Sequence, residues 1–113
     1  MPDPLATLKC QPIARGAPAL DPAAIAQWLP QIPRWTLAAD HTALQREFRF
    51  RDFYATMAFV NALAWVAHQQ DHHPDLQVGY NRCLVTWNTH AVGGLSRNDF
   101  ICAARTDALE PTA

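Results

Sequence analysis

Leu44-Gln45-Arg46-Glu47-Phe48-Arg49-Phe50 is the stretch that decides how the rest of the chain reads. Leu44, Phe48 and Phe50 fall on one side, and Gln45, Glu47 and Arg49 on the other. That alternation predicts a half-buried strand. Arg46 falls on the apolar side and breaks the pattern. Directly afterwards, Asp52 can cap a helix that runs to about Gln69. Phe53, Met57, Val60, Ala64 and Ala67 recur there at helical spacing, and Phe59, Leu63 and Val66 widen the stripe. A strand feeding a long amphipathic helix calls for a sheet, or a dimer interface, against which that helix can pack.

Outward from this centre the other elements follow. Trp35 to Ala38 reads as a short strand, and the turn Ala39-Asp40-His41 joins it to 44–50 as a hairpin. Before it, Asp21 can cap a first helix with Pro22 at its first position, where a missing N–H costs nothing. Ile25, Trp28 and Leu29 form its stripe, and Pro30 ends it. After the long helix, Asp71-His72-His73-Pro74 breaks the pattern. Leu76 to Tyr80 and Cys83 to Thr89 then read as a second hairpin, turning near Asn81-Arg82. Gly93-Gly94 predicts a flexible loop. Ser96 and Asp99 have capping-box spacing at the head of a last helix carrying Phe100, Ala103, Ala104 and Ala108. The order α-β-β-α-β-β-α predicts an α+β fold, with a four-stranded antiparallel sheet and the helices packed on one face. Residues 1–19, rich in proline, read as an irregular arm, and 20–110 as a single domain.

Composition narrows the function. The chain has 113 residues, half of them hydrophobic and 17% charged, enough for one modest core. A formal net charge of −1 gives no basic footprint for nucleic acid. No apolar run is long enough to cross a membrane. Met1-Pro2-Asp3-Pro4 lacks the basic-then-apolar pattern of a targeting segment, and the expected location is the cytoplasm. Cys10, Cys83 and Cys102 contain no CxxC pair, so reduced thiols are the expectation.

The residues that carry chemistry cluster late in the chain. His72 and His73 lie in the loop leaving the long helix, His90 at the end of the last strand, and Asp99 in the first turn of the last helix. Ends of neighbouring elements can meet at one rim of a sheet. Histidine takes and gives protons near neutral pH, so this set suits general acid–base work. Adjacent residues in extended backbone point apart, so His72 and His73 are not expected to face the same substrate atom. Asp99 reads first as a helix cap, and Pro74 as a helix stop. Trp87 and Tyr80 read as packing residues. A metal site is the rival reading. His68 and His72 would share a face if the helix continued, with Asp71, His73 and His90 in reach, but there is no HExxH and Pro74 opposes the continued helix.

His72-His73-Pro74, Tyr80, His90, Gly94-Leu95 and Asp99, in this order and spacing, resemble the pterin-4a-carbinolamine dehydratases. Leu29-Pro30-Gln31-Ile32-Pro33-Arg34-Trp35 and the run from Gly94 to Asp107 are similar to bacterial members, so the resemblance covers residues 20–108. It implies dehydration of a 4a-hydroxytetrahydropterin to the quinonoid dihydropterin, in recycling of the pterin used by aromatic amino acid hydroxylases. No metal or organic cofactor is implied. The implied assembly is a homodimer or homotetramer, with such a hydroxylase as a candidate partner. By family position His72 and His90 are the proton-transfer pair, His73 holds the pterin, Asp99 orients, and Pro74 fixes the loop. His68 stands where many members carry Glu, and Asp71 is the carboxylate that could substitute; Leu76 replaces a frequent aromatic. The alternative within this fold is a non-catalytic assembly or dimerisation factor, such as a Rubisco assembly chaperone.

Overall fold

The computed structural model describes residues 4–110. Helix α1 spans Pro22–Trp28, with the Asp21 carboxylate accepting the Ala24 N–H at its start. A 3-10 turn, Leu29–Gln31, carries the chain through Pro30. Strands β1 (Thr36–Leu37) and β2 (Leu44–Arg49) form the first hairpin. Helix α2 covers Phe53–Gln70 and is capped by Asp52 as the sequence predicts. Strands β3 (Asp75–Val78) and β4 (Arg82–Trp87) form the second hairpin, and α3 covers Arg97–Asp107. The sheet is antiparallel in the order β1-β2-β4-β3, so the two hairpins join through β2 and β4.

The strand 44–49 behaves as its alternation requires. Leu44 and Phe48 are buried, and Phe48 meets Phe59 of α2 with ring centroids 4.6 Å apart. Arg46 breaks the pattern without breaking the fold. Its guanidinium lies 4.1 Å over the Phe48 ring and donates to Asp107 at 2.5 Å and Glu110 at 2.6 Å. A nearly buried cation is tolerable only when paired in this way.

Three sequence expectations change. On α2 the buried residues are Thr56, Phe59 and Leu63, while Phe53 is half exposed. The residues expected to widen the stripe are its centre, because the helix is rotated toward Phe48 and Phe50. Tyr80 is 65% exposed at the tip of the second hairpin and is not a packing residue. Gly93-Gly94 is not a free loop. A 3-10 turn, His90–Val92, precedes it, Gly93 takes the left-handed φ of 65°, and Thr89 bridges back to Gly94.

The arm is irregular in backbone but anchored. Leu5 is 2% exposed and belongs to the core. Arg105 donates twice to the Leu8 carbonyl, Gln70 Oε1 accepts the Cys10 N–H at 2.8 Å, and Asn98 exchanges two hydrogen bonds with Gln11. These contacts tie it to α2 and α3. Leu5→Ala should lower stability by about 2–4 kcal/mol, the usual cost of emptying a core leucine site. A shift in the urea midpoint with unchanged slope would measure it; no shift would mean that the arm is a passive attachment.

Candidate active site

The site begins where α2 stops. Asp71 adopts a left-handed conformation, φ 51°, and its N–H reaches back to the carbonyls of Ala67 and His68. The His72 N–H also bonds to the Ala67 carbonyl at 3.1 Å. This reversal turns the chain beneath the helix end and brings His72 over the last residue of β4. The imidazole stacks on the buried Trp87 ring at 5.4 Å and 14°.

The helix α3 supplies the partner. Asp99 Oδ1 lies 2.7 Å from His72 Nε2. Oδ2 accepts the Thr89 hydroxyl at 2.7 Å and the Ser96 N–H at 2.9 Å. The Ser96 hydroxyl lies 2.7 Å from Thr89 Oγ1 and donates to it, since the Thr89 hydrogen is committed to Asp99. The Asp99 side chain is 0% exposed and that of His72 is 13% exposed. Asp99 therefore caps its helix with one oxygen and holds an imidazole with the other.

Electrostatics follow from this geometry. Burial works against the imidazolium of His72, but the hydrogen bond it donates to Asp99 and the negative charge of that carboxylate outweigh burial. The His72 pKa is raised above 6.5. A carboxylate-held ring of this kind retains its proton to higher pH than a free histidine.

His72 and His73 both line a groove of about 560 Å³. Cys10 to Ile13 of the arm, Gln69 to Asp71, and Asn88 to Ala91 with Asn98 form the rest of its lining. A second cavity of about 400 Å³ has Leu63, Ala64, Ala67, His68, Asp71, His72, His73, Pro74 and Leu76 around it. The volumes suit a small heterocycle. Asp71, His72 and His73 belong to both linings, so these residues divide the two spaces. The adjacent histidines thus both line one groove. Of these two cavities His90 lines the first and not the second, His68 and Pro74 the second and not the first, and Asp99 lies behind His72.

Sequence reading missed Thr89 and the stack on Trp87. It also missed the wall that the arm contributes and the approach of Cys10 to Cys102, whose sulfurs are 3.4 Å apart. Capping-box spacing marked Ser96 as an Asp99 partner, as the structure shows, but nothing local marks Thr89. Among the described residues, no group of three or more histidine, cysteine or acidic side chains is placed to hold a metal ion. No helix there is long and apolar enough to cross a membrane.

This sheet-and-helix sandwich matches known proteins. Residues 18–109 match the family described as Pterin 4 alpha carbinolamine dehydratase. A relative from Stenotrophomonas maltophilia (strain K279a), provisionally named a pterin-4-alpha-carbinolamine dehydratase, is 59% identical over 106 residues, covering 94% of this chain and 91% of the relative. One from Nitrosospira multiformis, named in the same provisional way, is 50% identical over 107 residues, covering 95% of this chain and 93% of the relative. The crystal structure of a transcriptional coactivator/pterin dehydratase from Brucella melitensis superposes with a TM-score of 0.78 at 29% identity, over 82% of this chain and 99% of that one. A pterin dehydratase-like protein described as a RuBisCO assembly factor in the alpha-carboxysome gives 0.60 at 25% identity, over 70% and 92%. The chain belongs to the pterin-4a-carbinolamine dehydratase family.

Proposed function

We propose that the protein dehydrates 4a-hydroxytetrahydropterins to quinonoid dihydropterins by histidine acid–base catalysis. The observation that carries this is the Asp99-held His72 opening onto a groove that also contains His73 and His90. Elimination must protonate the departing 4a-hydroxyl and remove the proton on N5, so that the N5–C4a double bond forms as water leaves. With its raised pKa, His72 is the proton donor to the hydroxyl. Asp99 engages Nε2, so Nδ1 is the nitrogen that serves the substrate. His90, on the other wall, takes the N5 proton, and His73 holds the pterin. Pro74 fixes the loop, and Asp71 and His68 shape the adjoining cavity. The reaction needs no metal or organic cofactor.

The reading includes a homodimer or homotetramer. Phe53, Tyr54 and Trp65 on α2 and Val78 on the edge strand β3 are exposed, as surfaces that pair between copies would be in a single chain. It places the enzyme in the cytoplasm beside an aromatic amino acid hydroxylase that generates the substrate. The second reading is an assembly factor without catalysis, supported by the likeness to the RuBisCO assembly factor. The retained histidines favour the enzyme.

Chemically generated 4a-hydroxytetrahydropterin, followed by ultraviolet absorbance, tests the proposal. The protein should accelerate its decay equally with and without a chelator, and His90→Ala should cost roughly 10²–10⁴-fold. A folded protein that leaves the uncatalysed rate unchanged would sink the enzymatic reading.

A further inference from the structure

Cys10 lies in the arm and Cys102 in the middle of α3, ninety-two positions apart, yet their sulfurs stand 3.4 Å from each other. Three contacts aim the pair. The Cys10 N–H is held by Gln70, Gln11 is locked to Asn98 one turn before Cys102, and Arg105 one turn after it clamps Leu8. Cys102 is buried, whereas Cys10 is half-buried and lines the groove, so a small oxidant in the groove meets Cys10 first. The third cysteine, Cys83, is buried in β4.

We infer that Cys10 and Cys102 form a reversible disulfide on exposure to hydrogen peroxide, stapling the arm to α3. The Cys10 sulfur attacks one peroxide oxygen, the O–O bond breaks, and Cys10 becomes a sulfenic acid as water leaves. The Cys102 sulfur then attacks the Cys10 sulfur. An S–S bond forms, the S–O bond breaks, and the hydroxide departs with the Cys102 proton as a second water. Two thiols are oxidised by two electrons and one peroxide is reduced to two waters. The hydrogen bond from Cys102 holds the Cys10 thiol below its ordinary pKa, with His72 and Arg105 adding to the effect against burial. The same bond and burial raise that of Cys102. Cys10 is thus the sulfur that reacts first. Only a short approach is required, because both backbones are already anchored. The cross-link fixes the Cys10–Ile13 wall of the groove in place. This inference does not rest on the dehydratase reading.

The reduced full chain, treated with hydrogen peroxide, tests it. Two of the three thiols should disappear, the intact mass should fall by two hydrogens, and a non-reducing digest should yield the Cys10 peptide joined to the Cys102 peptide. Dithiothreitol should restore both thiols. The unfolding midpoint should rise by roughly 10 °C or more on oxidation and return on reduction, since a long loop is closed. Cys10→Ser should abolish the mass change and the midpoint shift, and Cys83→Ala should keep both. Cys10 gaining oxygen while Cys102 stays a thiol, a disulfide between two chains through Cys10, or a cross-link that leaves the midpoint unmoved would each overturn the inference. Because Cys10 is half exposed, its serine variant keeps the test valid even if a Cys102 variant fails to fold.

Discussion

A His72→Ala protein will dehydrate 4a-hydroxytetrahydropterin about 10²–10⁴-fold more slowly than the native chain, with far less change in substrate affinity. The expectation comes from what the ring does where it lies. Asp99 sets its Nε2 side, Trp87 supports its face, and the groove takes its open edge. Removing it deletes the proton donor and keeps the His73 and His90 walls. A hole the size of an imidazole is left over Trp87, so added imidazole should restore part of the rate. That rescue separates loss of a proton donor from loss of fold. Circular dichroism and the unfolding midpoint provide the control, and an unchanged rate in a folded variant would remove His72 from the mechanism. The native rate should fall as pH rises through the folded pKa of His72, above 6.5, because the donor form is lost there.

Asp99→Asn will keep the fold and lose most of the rate, whereas Asp99→Ala will lose the fold's stability as well. In the asparagine variant, the amide oxygen can still accept from Thr89 and the Ser96 N–H, and the amide N–H turns to His72. The ring then accepts at Nε2 and is held neutral, with its one proton on Nδ1, where neutral imidazole is a far weaker acid than imidazolium. In the alanine variant, a buried ion pair is broken from one side and Thr89 loses its partner, which costs about 3–5 kcal/mol. Stability against pH tests the linkage. His72 has a folded pKa raised above its unfolded 6.5, so its contribution is fully present below 6.5 and is lost as pH rises through the folded value. The stability gap between native and Asp99→Asn should therefore be widest near pH 5–6 and narrow as pH rises above it. A gap that stayed constant from pH 5 to 9 would show that the carboxylate does not hold the imidazolium.

The architecture was legible because each element announces itself locally. Period-two residues at 44–50, a cap at Asp52, helical spacing after it and a second alternating pair leave little freedom in topology. The histidines were legible as a set because each lies at an element's end. Long-range geometry was not. The turn at Asp71 cannot be read from a residue that only tolerates left-handed backbone. The arm looks structureless by its prolines, yet Leu5 fills a core site that only the assembled sandwich creates. The rotation of α2 was equally hidden, because alanines and large apolar residues line both of its flanks and periodicity alone cannot choose between them.

Asp71 deserves a designer's interest for what it declines to be. At φ 51°, glycine would be the comfortable residue, and an aspartate there forgoes about 1 kcal/mol of backbone ease. That side chain stands on the partition between the two cavities. A selection for heat resistance alone would replace it early. If the carboxylate serves the proposed reaction, a selection that also scored turnover would hold it, so the fate of this one codon would show which pressure a laboratory lineage had felt.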